Sequence, residues 1–313
     1  MVLLLSDKIT LFVNKMLLFS DRITFLRRYK LLYYCVKSSE YLADILDKVS
    51  RGAEYFLQIE IPQQKVESLI NKWSERYNLE QSARQRTYRL KTAPVVDLIV
   101  LQTQAMNKFN LVRLCLLVTL PQQYRQHLNL NEVQKYIKEG FKLDKAQRES
   151  FTSVYDRKHR LTLHTVLARG VETIPVYELI ELPFTKTERK QKELNKDKGW
   201  TWRLHKNFIN LKLDLIEQAF KDAQGLKDHK KQDAKILKEM EILWGMSGFR
   251  GVRRDIFKIN SKLRGLTFKY LNRRNMIELK VPIYTIKSKR LVRNLDDMRQ
   301  FHIRKDRLFS QQT

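Results

Sequence analysis

The pattern of apolar and polar positions predicts a mixture of helices and strands over residues 31–185. Apolar residues recur at helical spacing in three segments, so helices are predicted at 31–52, 66–77 and 131–141. Short apolar or alternating runs between turn residues predict strands at 55–61, 86–90, 95–101, 111–120, 161–168 and 176–182. This order of elements predicts an α+β fold, in which an N-terminal mixed sheet is covered by helices.

The rest of the chain is predicted to be a separate and mainly helical region. Residues 186–198 are charged and mostly polar, so they are interpreted as a linker, with the start of a solvated helix as the alternative. Residues 199–313 then form the second region, with apolar helical patterns on either side of a polar loop at 224–233. Residues 276–286 contain Pro282 and are predicted to form a strand pair or wing.

One helix in this region carries most of the functional information. It follows Gly248-Phe249-Arg250-Gly251, which is interpreted as a turn. A buried helical stripe is predicted because apolar residues step by four and three positions: Val252, Ile256, Ile259, Leu263, Leu266 and Tyr270. Gly265 lies within this span and weakens the helix by about 1 kcal/mol. Cations occupy the other sides of the helix and its C-terminal flank. The predicted phosphate-binding residues are Arg250, Arg253, Arg254, Lys258, Lys262, Lys269, Arg273, Arg274, Lys287, Lys289, Arg290 and Arg293.

The charge of the chain favours a polyanionic partner. The sequence contains 61 Lys and Arg against 34 Asp and Glu, a net charge of +27. Residues 246–313 alone contain eighteen Lys or Arg and five acidic residues. Such an excess repels itself unless an anion screens it, and cations that meet phosphates release counterions. A nucleic acid is therefore the predicted partner, DNA being favoured over RNA, with the helix in a groove and the wing on the backbone.

Other partners and aromatic contacts remain open at this point. A basic amphipathic helix also suits an anionic membrane surface or an acidic protein, although its stripe is rich in Val and Ile rather than in Trp, Phe and Leu. Trp200 and Trp202 are interpreted either as a platform on which bases stack or as an apolar staple opening the next helix. The oligomeric state, including a homo-oligomer, is not determined by the sequence.

The sequence offers no recognisable catalytic or metal-binding motif. Cys35 and Cys115 lie in apolar stretches and are predicted to be buried thiols, and the six His residues lack paired metal-ligand spacing. No metal or cofactor is therefore predicted, and an enzyme of nucleic-acid processing is kept only as an alternative. The initial apolar run is interrupted by Asp7 and Lys8, so a signal peptide or membrane span is not expected and a cytoplasmic protein is predicted.

Residues 1–30 repeat with a period of seven. Leu3-Leu4-Leu5-Ser6-Asp7-Lys8-Ile9 is nearly copied by Leu17-Leu18-Phe19-Ser20-Asp21-Arg22-Ile23. A period of seven is typical of an amphipathic helix. Because the polar positions recur as well, the alternative is that this segment translates direct DNA repeats, like the initiator-binding repeats of plasmid origins. In that case the true start is Met16 or later.

Three short segments together resemble basic proteins encoded on plasmids and integrative conjugative elements. They are Tyr177-Glu178-Leu179-Ile180-Glu181-Leu182-Pro183, Gly199-Trp200-Thr201-Trp202-Arg203-Leu204 and Gly248-Phe249-Arg250-Gly251-Val252-Arg253. The resemblance covers residues 110–275 and implies a mobile-element setting, but no particular activity. Combined with the charge, it predicts a DNA-binding accessory factor of plasmid replication, maintenance or transfer.

Overall fold

The structure, a computed structural model, describes residues 33–35, 37–103, 106, 109–124, 151–164, 174–185, 188, 197–272 and 279. The repeat segment 1–30, the predicted helix 131–141 and all of the predicted wing except Leu279 lie outside these residues. Helices and antiparallel sheets are both present in the described parts, so the predicted α+β class is confirmed.

The described residues divide into two compact units. Those within Met1–Tyr41 and Ala53–Phe151 form the first, and those within Leu42–Gly52 and Thr152–Ile286 form the second. The units therefore do not separate at the predicted linker, residues 186–198. The strands on either side of that segment pair directly in one sheet, so it joins two strands of the second unit.

The first unit is built on β1 (Tyr33–Cys35), β2 (Ala53–Pro62), β3 (Val95–Leu101) and β4 (Leu111–Thr119), in the order β1-β3-β4-β2. Strand β1 is parallel to β3, and the other neighbours are antiparallel. Helix α1 (Ser38–Ser50) precedes β2, and the chain reverses at Gly52 with a positive φ of 105°. Helices α2 (Val66–Tyr77) and α3 (Ala83–Arg89) lie between β2 and β3.

Two of the predicted boundaries in this region are wrong. The segment 86–90 belongs to helix α3 rather than to a strand, because Ser82 and Gln85 form a reciprocal capping box, in which each side chain accepts a hydrogen bond from the other residue's backbone N–H. Such a cap stabilises the first turn of a helix and outweighs the weak strand preference of a short segment. The helix predicted at 31–52 begins only at Ser38, because β1 pairs with β3 ahead of it. The strands predicted at 55–61, 95–101 and 111–120 and the helix at 66–77 are confirmed.

The core of the first unit follows the alternation of β3 and β4. One face of these strands packs with Ile70, Trp73 and Tyr77 of α2. On the other face, Arg113 is buried and its Nε donates to Glu60 Oε1 at 2.6 Å. Cys35 and Cys115 are buried thiols as predicted, and burial raises the pKa of Cys115 to about 12. That thiol is therefore structural rather than nucleophilic.

The second unit combines a three-stranded antiparallel sheet with three long helices. After the short strand β5 (Thr152–Ser153), strands β6 (Thr162–His164), β7 (Pro175–Pro183) and β8 (Lys198–Leu204) lie side by side in chain order. Helices α4 (Lys206–Gln224), α5 (His229–Trp244) and α6 (Arg250–Leu271) follow. The predicted loop at 224–233 is shorter, because the Asp228 side chain accepts a hydrogen bond from Lys230 N and begins α5 there.

Helix α6 begins at Arg250, inside the predicted turn, and covers the edge strand β8. Its backbone N–H at Gly251 donates to Thr201 Oγ1 at 3.2 Å, and Asp255 Oδ2 accepts from Leu204 N at 3.0 Å. Asp255 thus takes the place of a neighbouring strand at the Leu204 N–H of an otherwise open sheet edge, and the Thr201 hydroxyl fixes the first turn of α6. The predicted stripe is confirmed, since Val252, Ile256, Ile259 and Leu263 are buried and Leu266 and Tyr270 are half-buried.

The close approach of α6 to β8 gives a direct test of this packing. A Cβ added at Gly251 would lie 2.5 Å from the backbone oxygen of Trp202, whereas one at Gly265 meets nothing within 4 Å. We expect Gly251→Ala to lower the free energy of unfolding by about 2 kcal/mol through overpacking. Gly265→Ala, the control in the same helix, should raise it by about 1 kcal/mol through helix propensity. Urea denaturation measures both, and equal stabilities of the two variants would contradict the close approach.

Candidate nucleic-acid interface

The first turn of α6 is fastened to the ends of β7 and β8 by Arg250. Its Nη2 donates to Leu182 O at 2.9 Å and to Gly199 O at 2.6 Å, and its guanidinium lies 4.0 Å from the ring centroid of Phe184. Burial lowers the pKa of Arg250, and its side chain is only 11 % exposed. Nη2 of Arg250 is thus bound to two backbone carbonyls, which assigns the side chain a structural role, and the phosphate contact of Arg250 stays a prediction.

Two further predicted cations are partly neutralised by acidic side chains. Arg254 Nη2 lies 2.8 Å from Glu188 Oε2 and also donates to Pro183 O at 3.0 Å. Near the other end of α6, Lys269 Nζ lies 3.4 Å from Glu217 Oε1. Hydrogen bonds from Tyr270 and Lys269 to Glu217 hold the pKa of that carboxyl below its usual value. Arg254 and Lys269 thus serve partly to hold α6 in place.

Two other cations of α6 face a cleft of about 230 Å³ in the second unit. We call it the basic cleft. It is lined by Arg203, Leu204, Lys206, Ile209, Leu213, Asp255, Lys258, Ile259 and Lys262. Lys258 and Lys262 are one helical turn apart on α6, so their side chains extend from the same side. Lys206 is the first residue of α4, where the helix dipole and unpaired N–H groups also favour an anion.

Positive charge exceeds negative charge around this cleft. Arg203 pairs with Glu178 at 2.6 Å, but Glu178 already pairs with Arg160 at 2.8 Å, so two cations share one carboxylate. The Asp255 carboxylate is committed to Leu204 N, and burial raises the pKa of Asp255. Lys206, Lys258 and Lys262 make no ion pair with any residue that the structure describes. Three ammonium groups are therefore left for an external anion.

The structure brings only some of the predicted phosphate-binding residues together. Lys258 and Lys262 lie in the basic cleft, and Arg253 is half-buried on another side of α6. Arg273, Arg274, Lys287, Lys289, Arg290 and Arg293 lie outside the described residues. Sequence reasoning missed Arg203 and Lys206, although a polar residue between the apolar Trp202 and Leu204 was a signal that β8 is a strand with one polar face.

The two candidate stacking residues have different environments. Trp202 is 0 % exposed, and its Nε1 donates to Leu42 O at 2.7 Å, so it is a core residue and the stacking interpretation is wrong for it. Trp200 is half-buried, and its ring centroid lies 5.2 Å from that of Tyr155. Both tryptophans belong to strand β8. The helix after it, α4, has His205 as its N-cap, so the staple position directly before the cap is Leu204 and the interpretation of the tryptophans as that staple is wrong.

The described residues show neither a metal site nor a membrane helix. Within these ranges, no three His, Cys, Asp or Glu side chains are grouped so that they could hold a metal ion. None of the helices found there combines the length and apolar character needed to cross a membrane. Comparison with protein-family models, curated proteins and solved structures finds no match to the chain.

The buried carboxylate of the cleft predicts a pH dependence. The pKa of Asp255 is higher in the folded protein than in the unfolded chain. The stability that Asp255 contributes is therefore fully present below its pKa in the unfolded chain, and it is lost as the pH rises through its pKa in the folded protein. Asp255→Asn keeps an acceptor for Leu204 N but cannot ionise. The variant should therefore gain stability relative to the native protein between acidic and neutral pH, as measured by urea denaturation at several pH values.

Glu217→Gln is the control with the opposite sign. The pKa of Glu217 is lowered, so its contribution is present above the unfolded pKa and is lost as the pH falls through the folded pKa. This variant should lose stability relative to the native protein as the pH rises. If the stability difference from the native protein changes with pH in the same direction for both variants, ionisation of Asp255 does not destabilise the folded protein.

Proposed function

We propose that the protein binds nucleic acid through the basic cleft, by contacts to phosphates. The observation that carries this proposal is that Lys206, Lys258 and Lys262 share one cleft in which the Asp255 carboxylate is bound to Leu204 N, and that none of the three makes an ion pair with a described residue. Neighbouring ammonium groups repel one another unless an anion lies between them. A chain of phosphates supplies several anions at a regular spacing, which suits cations spread along a helix better than one small anion does.

Further cations extend this surface along α6. Lys269 lies on the same side of α6 as Lys258 and Lys262 and is 61 % exposed although it contacts Glu217, whereas Arg253 lies on another side. Helix α6 is held against the sheet by the hydrogen bonds of Arg250, Gly251 and Asp255. The backbone that carries these cations is therefore ordered before binding, so the conformational entropy lost on binding is that of the lysine side chains alone.

Replacing the two cleft lysines of α6 tests the proposal. Lys258→Ala/Lys262→Ala should make the slope of log affinity against log salt shallower, by about 0.9 for each duplex DNA phosphate that the variant no longer neutralises. The slope is measured by fluorescence anisotropy over a salt series.

A matched control removes the same charge elsewhere in the second unit. Lys230 and Lys231 are exposed lysines of α5 that do not line the cleft. Lys230→Ala/Lys231→Ala should leave the slope unchanged. Equal slopes for the two double variants would show that net charge alone, and not the cleft, governs binding.

The proposed setting is a plasmid or integrative conjugative element, with DNA as the partner and a role in replication, maintenance or transfer. The support is the seven-residue repeat, interpreted as translated direct repeats, together with the order of the three short segments. Nuclease footprinting on the DNA that flanks the gene tests this setting. Protection of tandem direct repeats is the expected outcome, whereas uniform coverage of the fragment would contradict sequence-specific recognition.

A further inference from the structure

The outermost side of α6 carries two exposed aromatic rings. Phe257 is 62 % exposed and Phe268 is 73 % exposed. They are eleven residues apart, which is close to three helical turns, so both lie on one line along the helix, about 16 Å apart. This line is opposite the buried stripe. Both rings are mostly exposed, so among the described residues they contribute little to the packing of α6.

Cations surround both rings. Lys258 follows Phe257 in the sequence, Lys269 follows Phe268, and Arg264 lies between the two rings on the same line, next to Ser261. The basic cleft lies to one side of this line, since Lys258 and Lys262 are rotated from Phe257 towards the side of α6 that faces α4. A ligand that meets the cleft with negative charge therefore has two flat apolar surfaces beside it.

We propose that α6 binds single-stranded nucleic acid across two adjacent sides, with phosphates on the cleft lysines and bases stacked on Phe257 and Phe268. The inference rests on the proposed phosphate binding at the basic cleft and specifies single strands as its ligand; it does not depend on recognition of direct repeats. An unpaired base offers an open π-face to a phenyl ring, whereas in a duplex the faces are stacked on one another. Aromatic rings next to cations along one path are the combination that recognises single strands without dependence on sequence.

Two other occupants fit the surface less well. A second copy of the chain would bring one cationic face against another, which is repulsive. An anionic membrane takes up a helix through a continuous apolar face. Here the rings are separated by Ser261 and Arg264, so no such continuous face exists on this line of α6.

The test compares the full chain with its variants on oligonucleotides of one sequence, as single-stranded DNA, single-stranded RNA and duplex DNA. Phe257→Ala/Phe268→Ala should weaken binding to the single strands about 10- to 100-fold, the loss expected for one or two stacked bases. The affinity of this double variant for duplex DNA should change by less than about twofold. The salt slope should stay unchanged, because a ring neutralises no phosphate.

Two variants serve as controls. Phe257→Tyr/Phe268→Tyr keeps both aromatic faces and should retain single-strand affinity. Ile242→Ala/Trp244→Ala removes two other exposed apolar side chains, which lie on α5, and should also leave binding unchanged. Because both phenylalanines are mostly exposed, their replacement should not change the unfolding transition, which circular dichroism verifies.

The outcomes separate this inference from the proposed function. If the native chain binds duplex at least as well as single strands, and the alanine variant matches it, the stacking inference fails while phosphate binding stands. If no oligonucleotide binds, both fail. Weaker binding of the alanine variant to phosphatidylserine vesicles, with oligonucleotide binding unchanged, would assign the rings to a membrane surface and overturn the inference. An equal decrease on single-stranded DNA and RNA would support it, since the bases and not the sugars are then recognised.

Discussion

Strand β8 lies at the edge of the second sheet, and its outward N–H and C=O groups need partners that no further strand of the described residues provides. Helix α6 supplies one such partner, because Asp255 accepts a hydrogen bond from Leu204 N–H. A second hydrogen bond, from Gly251 N–H to the side-chain hydroxyl of Thr201, holds the helix against the strand. The arrangement demands close contact, since even a methyl group at Gly251 has no room beside Trp202. The position of α6, and hence of every cation on it, depends on these contacts between α6 and β8.

The packing of α6 on β8 also explains why the cations of α6 have different roles. Near the start of the helix, Arg250 and Arg254 bind carbonyls at the ends of β7 and β8, where a bare helix terminus would otherwise meet the strands. One turn and more beyond, Lys258 and Lys262 have moved past the sheet and face α4 across the cleft. Desolvated arginines with fixed partners stabilise the fold, whereas solvated lysines without partners are available to a ligand.

The three segments that resemble plasmid and conjugative-element proteins are neighbours in the second unit. The end of β7, the start of β8 and the first turn of α6 meet at the Arg250 guanidinium, which binds Leu182 O and Gly199 O. Glycine is needed at Gly251 for close approach, and Trp202 fills the core beside it. These short segments therefore form a structural junction that supports α6, and the second of them also contributes Arg203 and Leu204 to the lining of the basic cleft.

Local periodicity was enough to predict most of the elements, because helix and strand repeat every 3.6 and two residues. The stripe of α6, the alternation of β3 and β4 and the helix α2 all follow from it. Helix α3 is an exception that is also local, since the Ser82–Gln85 capping box overrode a weak strand pattern. The role of each charged or aromatic side chain was decided by the tertiary structure. Arg250 and Lys258 look alike in the sequence, but only long-range pairing of β7 with β8 brings carbonyls to Arg250 and leaves Lys258 without them. Charge and hydrophobicity belong to the residue, whereas burial and pairing belong to the contacts that distant parts of the chain make on folding.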